Sequence, residues 1–422
     1  MEGRTPLLMH VLIVTQYFWP EDFRINDLAV GLVEKGHRVT VLTGIPNYPA
    51  GRFFPGYGVL SRRREIYQGI EILRVPLIPR GKGRSFRLFM NYFSFALLAC
   101  AMGPLLCRES YDVIFVYEPS PVTVGLPARA MKMVRRAPII FWVQDLWPES
   151  LSATGAVSSQ WILRIVERLV GFIYQGCDQI LVQSRGFFQP IQRIGVDAKR
   201  IHYFPNSVEK FYRPVSLEND APERGEVPDG FRVMFAGNIG AAQDFETILS
   251  AAEVLRSFPE IQWVIIGDGR LGAWVGEQVR ARGLTETVHL LGRRPQESMP
   301  RYFALADVLL VTLRKDPIFA LTIPSKIQSY LACGKPIVAA LDGEGARVVL
   351  ESDAGRSAPS GDANALADAI MEIYRLPEHE RAAMGLRGRQ YYETHFNRER
   401  LLDILDTWMM ELSKGTLPEA IR

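Results

Sequence analysis

Proline, serine and lysine stand side by side at positions 324–326, and the stretch from Ile323 through Gly334-Lys335-Pro336 to Val338 carries the clearest chemistry in the chain. Proline suits a first helical turn, where its missing N–H has no partner to lose, and glycine suits the left-handed residue that closes a helix. The spacing therefore predicts a short helix opened by Pro324, closed by Gly334 and running straight into an apolar strand. Such a start aims free N–H groups, the Ser325 hydroxyl and the Lys326 ammonium at one point, which suits an anion and above all a phosphate. The plain alternative is a capped helix with one surface lysine.

A second helix start follows the glycine loop Gly237-Asn238-Ile239-Gly240, ahead of a helix expected over Asp244–Ser257. Two helix starts converging on one diphosphate would stabilise charge as it develops on a departing oxygen. Gly267-Asp268-Gly269-Arg270-Leu271-Gly272 spells G-x-G-x-x-G after a strand, but the acidic ribose partner expected later is missing, since Val288–Leu291 runs into Gly292-Arg293-Arg294. A tight turn is the better reading than a nicotinamide site. There is no G-x-x-x-x-G-K-[ST], no Asp-x-Asp, and the six histidines are scattered, so neither a P-loop, nor a metal site, nor a bound cofactor is expected.

These groups need a scaffold, and 422 residues suit two domains better than one core. Strand-length apolar runs alternate with helical periods, which predicts parallel sheets covered by helices. Strands are expected at Leu7–Thr15, Arg38–Thr43, Glu71–Leu77, Val113–Tyr117, Ile139–Val143 and Gln179–Val182. After a polar, proline-containing stretch they resume at Val233–Ala236, Trp263–Ile266, Val288–Leu291, Val308–Thr312 and Pro336–Ala340. The expected division is a first domain at 1–205, a linker at 206–230, a second domain at 231–395 and a terminal helical segment at 396–422.

A net charge of +3 is too small to imply a nucleic-acid partner, and four dispersed cysteines suit a reducing compartment. No secretory leader is read at the N-terminus. From Leu88 to Cys107, 20 uncharged residues lie between Arg87 and Arg108. By length that is a membrane span, yet a span here would cut the first sheet in half. Arg62, Arg63, Arg64, Arg74, Arg80, Lys82, Arg84 and Arg87 precede it, opposed only by Glu65 and Glu71. Basic residues beside apolar surface favour contact with an anionic membrane. A buried helix beside a solvated charged loop is the alternative.

Several of these stretches, in order, resemble the retaining glycosyltransferases of family 4. Phe235-Ala236-Gly237-Asn238-Ile239-Gly240, Val264-Ile265-Ile266-Gly267-Asp268-Gly269, Pro324-Ser325-Lys326 and Gly361-Asp362 with Leu366 resemble its second domain. Gln16 to Glu21, Gly36 to Thr43, Pro46-Asn47-Tyr48-Pro49 and Trp142 to Glu149 are similar to a branch that builds colanic acid, O-antigen and capsule polysaccharides in bacteria. The resemblance implies an α/β GT-B fold, two facing Rossmann-like domains with a C-terminal helix crossing back to the first. It implies a metal-independent retaining transfer of a hexosyl or deoxyhexosyl group from a UDP- or GDP-sugar to a glycan acceptor linked to a polyprenyl diphosphate. The expected place is cytoplasmic and peripheral, on the inner face of the bacterial inner membrane.

On that resemblance the donor would meet Gly237, Asn238, Ile239, Gly240, Gln243, Arg314, Pro324, Ser325, Lys326 and Ser329. The chain departs from the family pattern here: Asn238 and Gln243 stand where an Arg and a Lys are usual, and Leu321 and Ser329 replace a pair of glutamates. Lys326 would then carry more of the charge, and a catalytically weak nucleotide-binding scaffold of the same fold is the rival expectation. Asp145 and Glu149, flanking Trp147-Pro148 past a strand end, are the expected catalytic or acceptor-orienting groups, with a helix cap as the alternative. Gln144 stands where many relatives have histidine. Glu21, Arg24, Asn47 and Tyr48 follow the first two strands and are expected on the acceptor side.

Overall fold

The computed structural model describes residues 8–81, 85–153, 157 and 159–416. Contacts divide the chain into two units, one of residues 1–204 with 399–422 and the other of residues 205–398.

The first unit holds eight strands: β1 (His10–Val14), β2 (Arg38–Gly44), β3 (Arg64–Tyr67), β4 (Ile70–Val75), β5 (Val113–Glu118), β6 (Ile139–Val143), β7 (Gln179–Val182) and β8 (Ile201–Tyr203). Their order is β3-β4-β2-β1-β5-β6-β7-β8. All neighbours are parallel except β3, which runs antiparallel to β4 at the edge. The helices that matter below are α1 (Arg24–Glu34), α2 (Ser85–Leu106), α3 (Gly125–Arg135), α4 (Glu149–Ala153) and α5 (Gln160–Gln175). Central strands such as β6 are buried throughout, as expected where helices cover both faces of a parallel sheet.

The C-terminal helix Arg398–Ser413 completes this core. Leu401, Leu402, Leu405, Trp408, Met409 and Leu412 pack among Ile25, Leu28, Leu32 and the β1 side chains. Its polar side is tied to α1 and the turn after it, where Asp406 meets His37 Nε2 at 2.9 Å and Asp403 pairs with Lys35.

The second unit is a six-stranded, all-parallel sheet of β9 (Phe231–Ala236), β10 (Ile261–Ile266), β11 (Val288–Gly292), β12 (Val308–Thr312), β13 (Ile337–Ala340) and β14 (Gly355–Ala358). The order is β11-β10-β9-β12-β13-β14. Strand alternation sends Val233, Phe235, Trp263 and Ile265 to one core, and Met234, Ala236, Val264 and Ile266 to the other.

Residues 206–230, expected as a linker, are packed against this second unit. Val208, Tyr212 and Val227 are buried in its core. A short helix, Pro222–Glu226, is held by Glu223 to Arg301 at 2.5 Å and by Glu226 to Tyr302 at 2.8 Å. Proline content signalled irregular backbone there, but not its anchoring. The changeovers between units fall at 204/205 and 398/399.

Part of the basic stretch before α2 is neutralised within the first sheet and is not free to meet a membrane. Arg74 is 1% exposed, ion-paired with Glu65, and donates to the Trp19 carbonyl at 2.8 Å. Arg64 pairs with Glu71 across β3 and β4. Both belong to the antiparallel β3–β4 pair. Lys82 and Arg84 lie outside the described residues. The α2 helix itself is apolar and long enough to cross a membrane by length and composition, with 33% of its best window buried. It packs on α3 and on β4 and β2, while Phe86, Phe89, Phe93, Leu97 and Leu105 face outward.

Candidate functional site

In a doubly wound sheet, ligands gather past the strand ends where the order of the strands reverses. In the second unit that point lies between β9 and β12, so the loop after β9 and the residues after β12 flank it. The loop is Gly237 to Gly240, and the residue past β12 is Leu313, followed by Arg314. Arg314 N–H donates to the Ala242 carbonyl at 2.9 Å, and the Thr312 hydroxyl donates to the Gln243 carbonyl, fastening loop to strand.

Lys326 enters this place from the helix Ser325–Ala332, whose N-cap is Pro324. Its Nζ lies 3.8 Å from the centre of the Phe235 ring. Gly237 has φ +140, and a Cβ there would stand 2.5 Å from Lys326 Cε, so only glycine admits the side chain. Among the described residues no carboxylate pairs with Lys326. Burial pushes its ammonium down to about 7. The residue is partly buried, with its charge countered by a ring face alone, which is an arrangement that a bound anion would complete.

The other expected donor residues divide. Asn238 Nδ2 donates to Gln243 Oε1 at 3.4 Å, so these two are paired in the loop. Ile239 and Ser329 are buried. The Ser329 hydroxyl donates to the Ser325 carbonyl at 3.2 Å, turned into its own helix. Gly240 precedes the turn Ala241–Gln243, and Ser325 is exposed at the helix start. Arg314 is about half exposed and lies 3.6 Å from Asp316. Phe235 was missed by sequence reading, because nothing local links a strand end to a helix so far along the chain.

In the first unit the order reverses between β1 and β5. Asp145 lies near this point, after β6. Its side chain accepts from the Ser150 hydroxyl, and burial raises its pKa. Its own N–H points at Glu118 Oε2, 3.4 Å away at the end of β5. Glu118 is fully buried with one carboxylate oxygen unpartnered, and desolvation followed by the Asp145 charge drives its pKa well up. Sequence reading ended β5 one residue early and so passed over Glu118. Glu149 is exposed at the start of α4.

Of the acceptor-side residues, Glu21 and Asn47 are buried at 2% and 0% exposure. Glu21 Oε1 accepts from the N–H groups of Asn47 and Tyr48, each at 2.7 Å. Desolvation nonetheless raises its carboxyl to about 7, against the lowering effect of those bonds. Asn47 Oδ1 accepts from Arg80 N at 3.1 Å and Asn91 Nδ2 at 3.3 Å, and Gln16 Nε2 donates to Asn91 at 2.7 Å. These four side chains hold the loop. Tyr48 is presented to solvent, with the Arg80 guanidinium 4.9 Å above its ring, and Arg24 opens α1 half-buried. Among the described residues no group of three or more His, Cys, Asp or Glu is placed to hold a metal ion.

Residues 23–207 match the glycosyl transferase 4-like domain, and residues 230–375 match glycosyl transferases group 1. The Pseudomonas aeruginosa protein named probable glycosyltransferase WbjE is 32% identical over 313 residues, 71% of this chain and 73% of that one. WcaI of Escherichia coli K12, provisionally named a colanic acid biosynthesis glycosyl transferase, is 23% identical over 417 residues, 93% of this chain and 98% of that one. The fold is shared with sucrose-phosphate synthase of Thermosynechococcus elongatus, at a TM-score of 0.75 and 18% identity over 97% of this chain and 100% of that one.

The chain belongs to the glycosyl transferases of group 1, with a glycosyl transferase 4-like first domain. It is a glycosyltransferase of GT-B fold, in a family whose named members include polysaccharide-biosynthesis proteins.

Proposed function

We propose that this glycosyltransferase moves a sugar from a UDP- or GDP-sugar onto a polyprenyl-diphosphate-linked glycan during bacterial surface polysaccharide assembly, with retention of anomeric configuration and without a metal ion. The observation that carries this reading is Lys326, a lysine with no carboxylate partner among the described residues, at a helix start beside a glycine loop. A departing diphosphate meets there the ammonium and the first-turn N–H groups, which stabilise charge on the leaving oxygen. The leaving phosphate takes the acceptor proton, so no strong base is demanded of Gln144. Asp145 orients the acceptor, and the outward apolar side of α2 rests on the inner leaflet.

The test is transfer by the purified protein in excess EDTA, with the product's anomeric proton coupling read by NMR. Activity in EDTA with the donor's configuration kept is expected. An inverted product, or activity lost in EDTA and restored by manganese, sinks the mechanism. Nucleotide diphosphate binding without donor consumption would favour a scaffold.

A further inference from the structure

A cavity of about 1010 Å³ opens in the first unit beside the start of α2, lined by Ala50, Arg52, Phe53, Pro79, Phe86 and Arg87 around a glycine floor. That volume is at the top of the roughly 300–1,000 Å³ usual for small-molecule sites and exceeds what a phosphate alone needs. Its floor is built rather than incidental. Gly81 N–H donates to the Gly51 carbonyl at 2.9 Å, and a Cβ on Gly51 would overlap Gly81. The floor is tied to the buried Glu21, Asn47, Asn91 and Gln16 network through Asn47, whose carbonyl accepts from Gly51 N–H at 2.8 Å and whose Oδ1 accepts from Arg80 N–H at 3.1 Å.

The lining has two characters. Phe53, Pro79 and Phe86 are apolar, while Arg52 and Arg87 are exposed cations with no carboxylate partner among the described residues. Phe86, which lines the cavity, also begins the outward apolar row of α2. On its other side, the chain passes from Pro79 to Arg80, whose guanidinium covers Tyr48 and whose charge bears on the phenols of Tyr17 and Tyr92. Tyr92 in turn feels the Asp145 charge. Two arginines against an apolar wall match a molecule with a diphosphate at one end and hydrocarbon at the other.

We propose that this cavity binds the lipid diphosphate of the acceptor, with Arg52 and Arg87 on the diphosphate, the first isoprene units against Phe53, Pro79 and Phe86, and the remaining tail running out along α2. This deepens the acceptor half of the proposed function and rests on it. The first sugar then lies over Tyr48 and Arg80, toward Asp145.

The test titrates the full-length protein calorimetrically with farnesyl diphosphate, farnesol and inorganic diphosphate, and separately with UDP and GDP. Farnesyl diphosphate is expected to bind at one site, at least tenfold tighter than either fragment. Arg52→Gln with Arg87→Gln should weaken it at least 30-fold while leaving nucleotide binding unchanged. Ala50→Trp, which fills the cavity from its rim without removing a charge, should do the same, and circular dichroism checks that both variants fold. Lys326→Ala should lose nucleotide and keep farnesyl diphosphate. Unchanged farnesyl diphosphate affinity in both cavity variants overturns the assignment, as does its loss in Lys326→Ala. If wild type ignores farnesyl diphosphate while the arginine variant loses phosphatidylglycerol vesicles, the arginines serve the bilayer and the assignment falls. If farnesyl diphosphate behaves as expected but neither UDP nor GDP binds, the donor reading fails and the cavity stands.

Discussion

The Lys326 ammonium rests on the face of Phe235, 3.8 Å from the ring centre, where a carboxylate would stand in an ordinary buried ion pair. A ring face holds a cation weakly, so the site keeps its affinity for a stronger anion. Lys326→Ala should weaken UDP or GDP binding by about 1.5–3 kcal/mol while barely changing nucleoside binding. The free lysine titrates near 7 and a bound diphosphate raises it, so binding takes up a proton. Affinity should therefore fall as pH rises above 7, by up to about tenfold per pH unit, and Lys326→Ala should flatten that dependence. Equal losses for nucleotide and nucleoside would show that Lys326 does not meet phosphate.

Gly237→Ala tests the same contact from the other side. The added Cβ meets Lys326 Cε and the backbone sits at φ +140, so the variant should lose about 1–3 kcal/mol of stability and most diphosphate affinity. A calorimetric melt with a UDP titration reads both. A fully stable variant with normal affinity would mean the loop yields easily.

Glu21 should behave as a pin. Glu21→Ala takes the acceptor from the buried Asn47 N–H and the part-buried Tyr48 N–H and should cost about 1–3 kcal/mol, whereas Glu21→Gln keeps an acceptor oxygen and should cost less. Its folded pKa, about 7, lies above the ordinary carboxylate value. Its contribution is therefore complete at low pH and is lost as pH rises from about 4.5 through 7. Denaturant melts across that window should show a smaller slope with pH in Glu21→Gln than in wild type.

Glu118 is a buried carboxyl with no cation paired to it among the described residues. Glu118→Gln removes the penalty of ionising it and should raise the melting temperature at pH 8 more than at pH 5. Asp145→Asn removes the charge that helps to raise Glu118, so carbon-13 NMR should place the Glu118 titration lower than in wild type. An unmoved Glu118 titration would mean that the two carboxyls do not communicate.

Replacing Phe89, Phe93 and Leu97 with Gln should release the protein from anionic vesicles with little effect on melting, because these side chains face outward. Alkaline carbonate should strip the native protein from membranes. Retention after carbonate would mean that α2 spans.

Much of this architecture is legible in the residues. The expected limits of β6, β7 and β12 coincide with those observed, because each is an apolar run broken by no more than one polar residue at an end, Gln179 in β7 and Thr312 in β12. β3 escaped notice because Arg64-Glu65-Ile66-Tyr67 is charged and half exposed, and only pairing with β4 makes it a strand. β14 is four residues of Gly, Arg, Ser and Ala, with no apolar run to betray it. At the site, Lys326 was readable from its proline start. Glu21 and Asn47 are expected on the acceptor side because they follow the first two strands, with loop capping as the alternative. Their burial depends on partners such as Asn91, which no local pattern discloses.

The C-terminal helix has a consequence for how the molecule is made. The first unit's core is unfinished until Leu401 to Leu412 leave the ribosome, yet residues 205–398 form a continuous unit that is already complete by then. At roughly 5–20 residues per second, the 194 residues from 205 to 398 take roughly 10–40 s to synthesise. For that time the nascent first unit lacks one helical wall and shows its apolar surface to solvent. Birth order and folding order are thus reversed. A chaperone that shields the α1 side of β1 during that interval should raise the yield of folded protein more than one that acts after release.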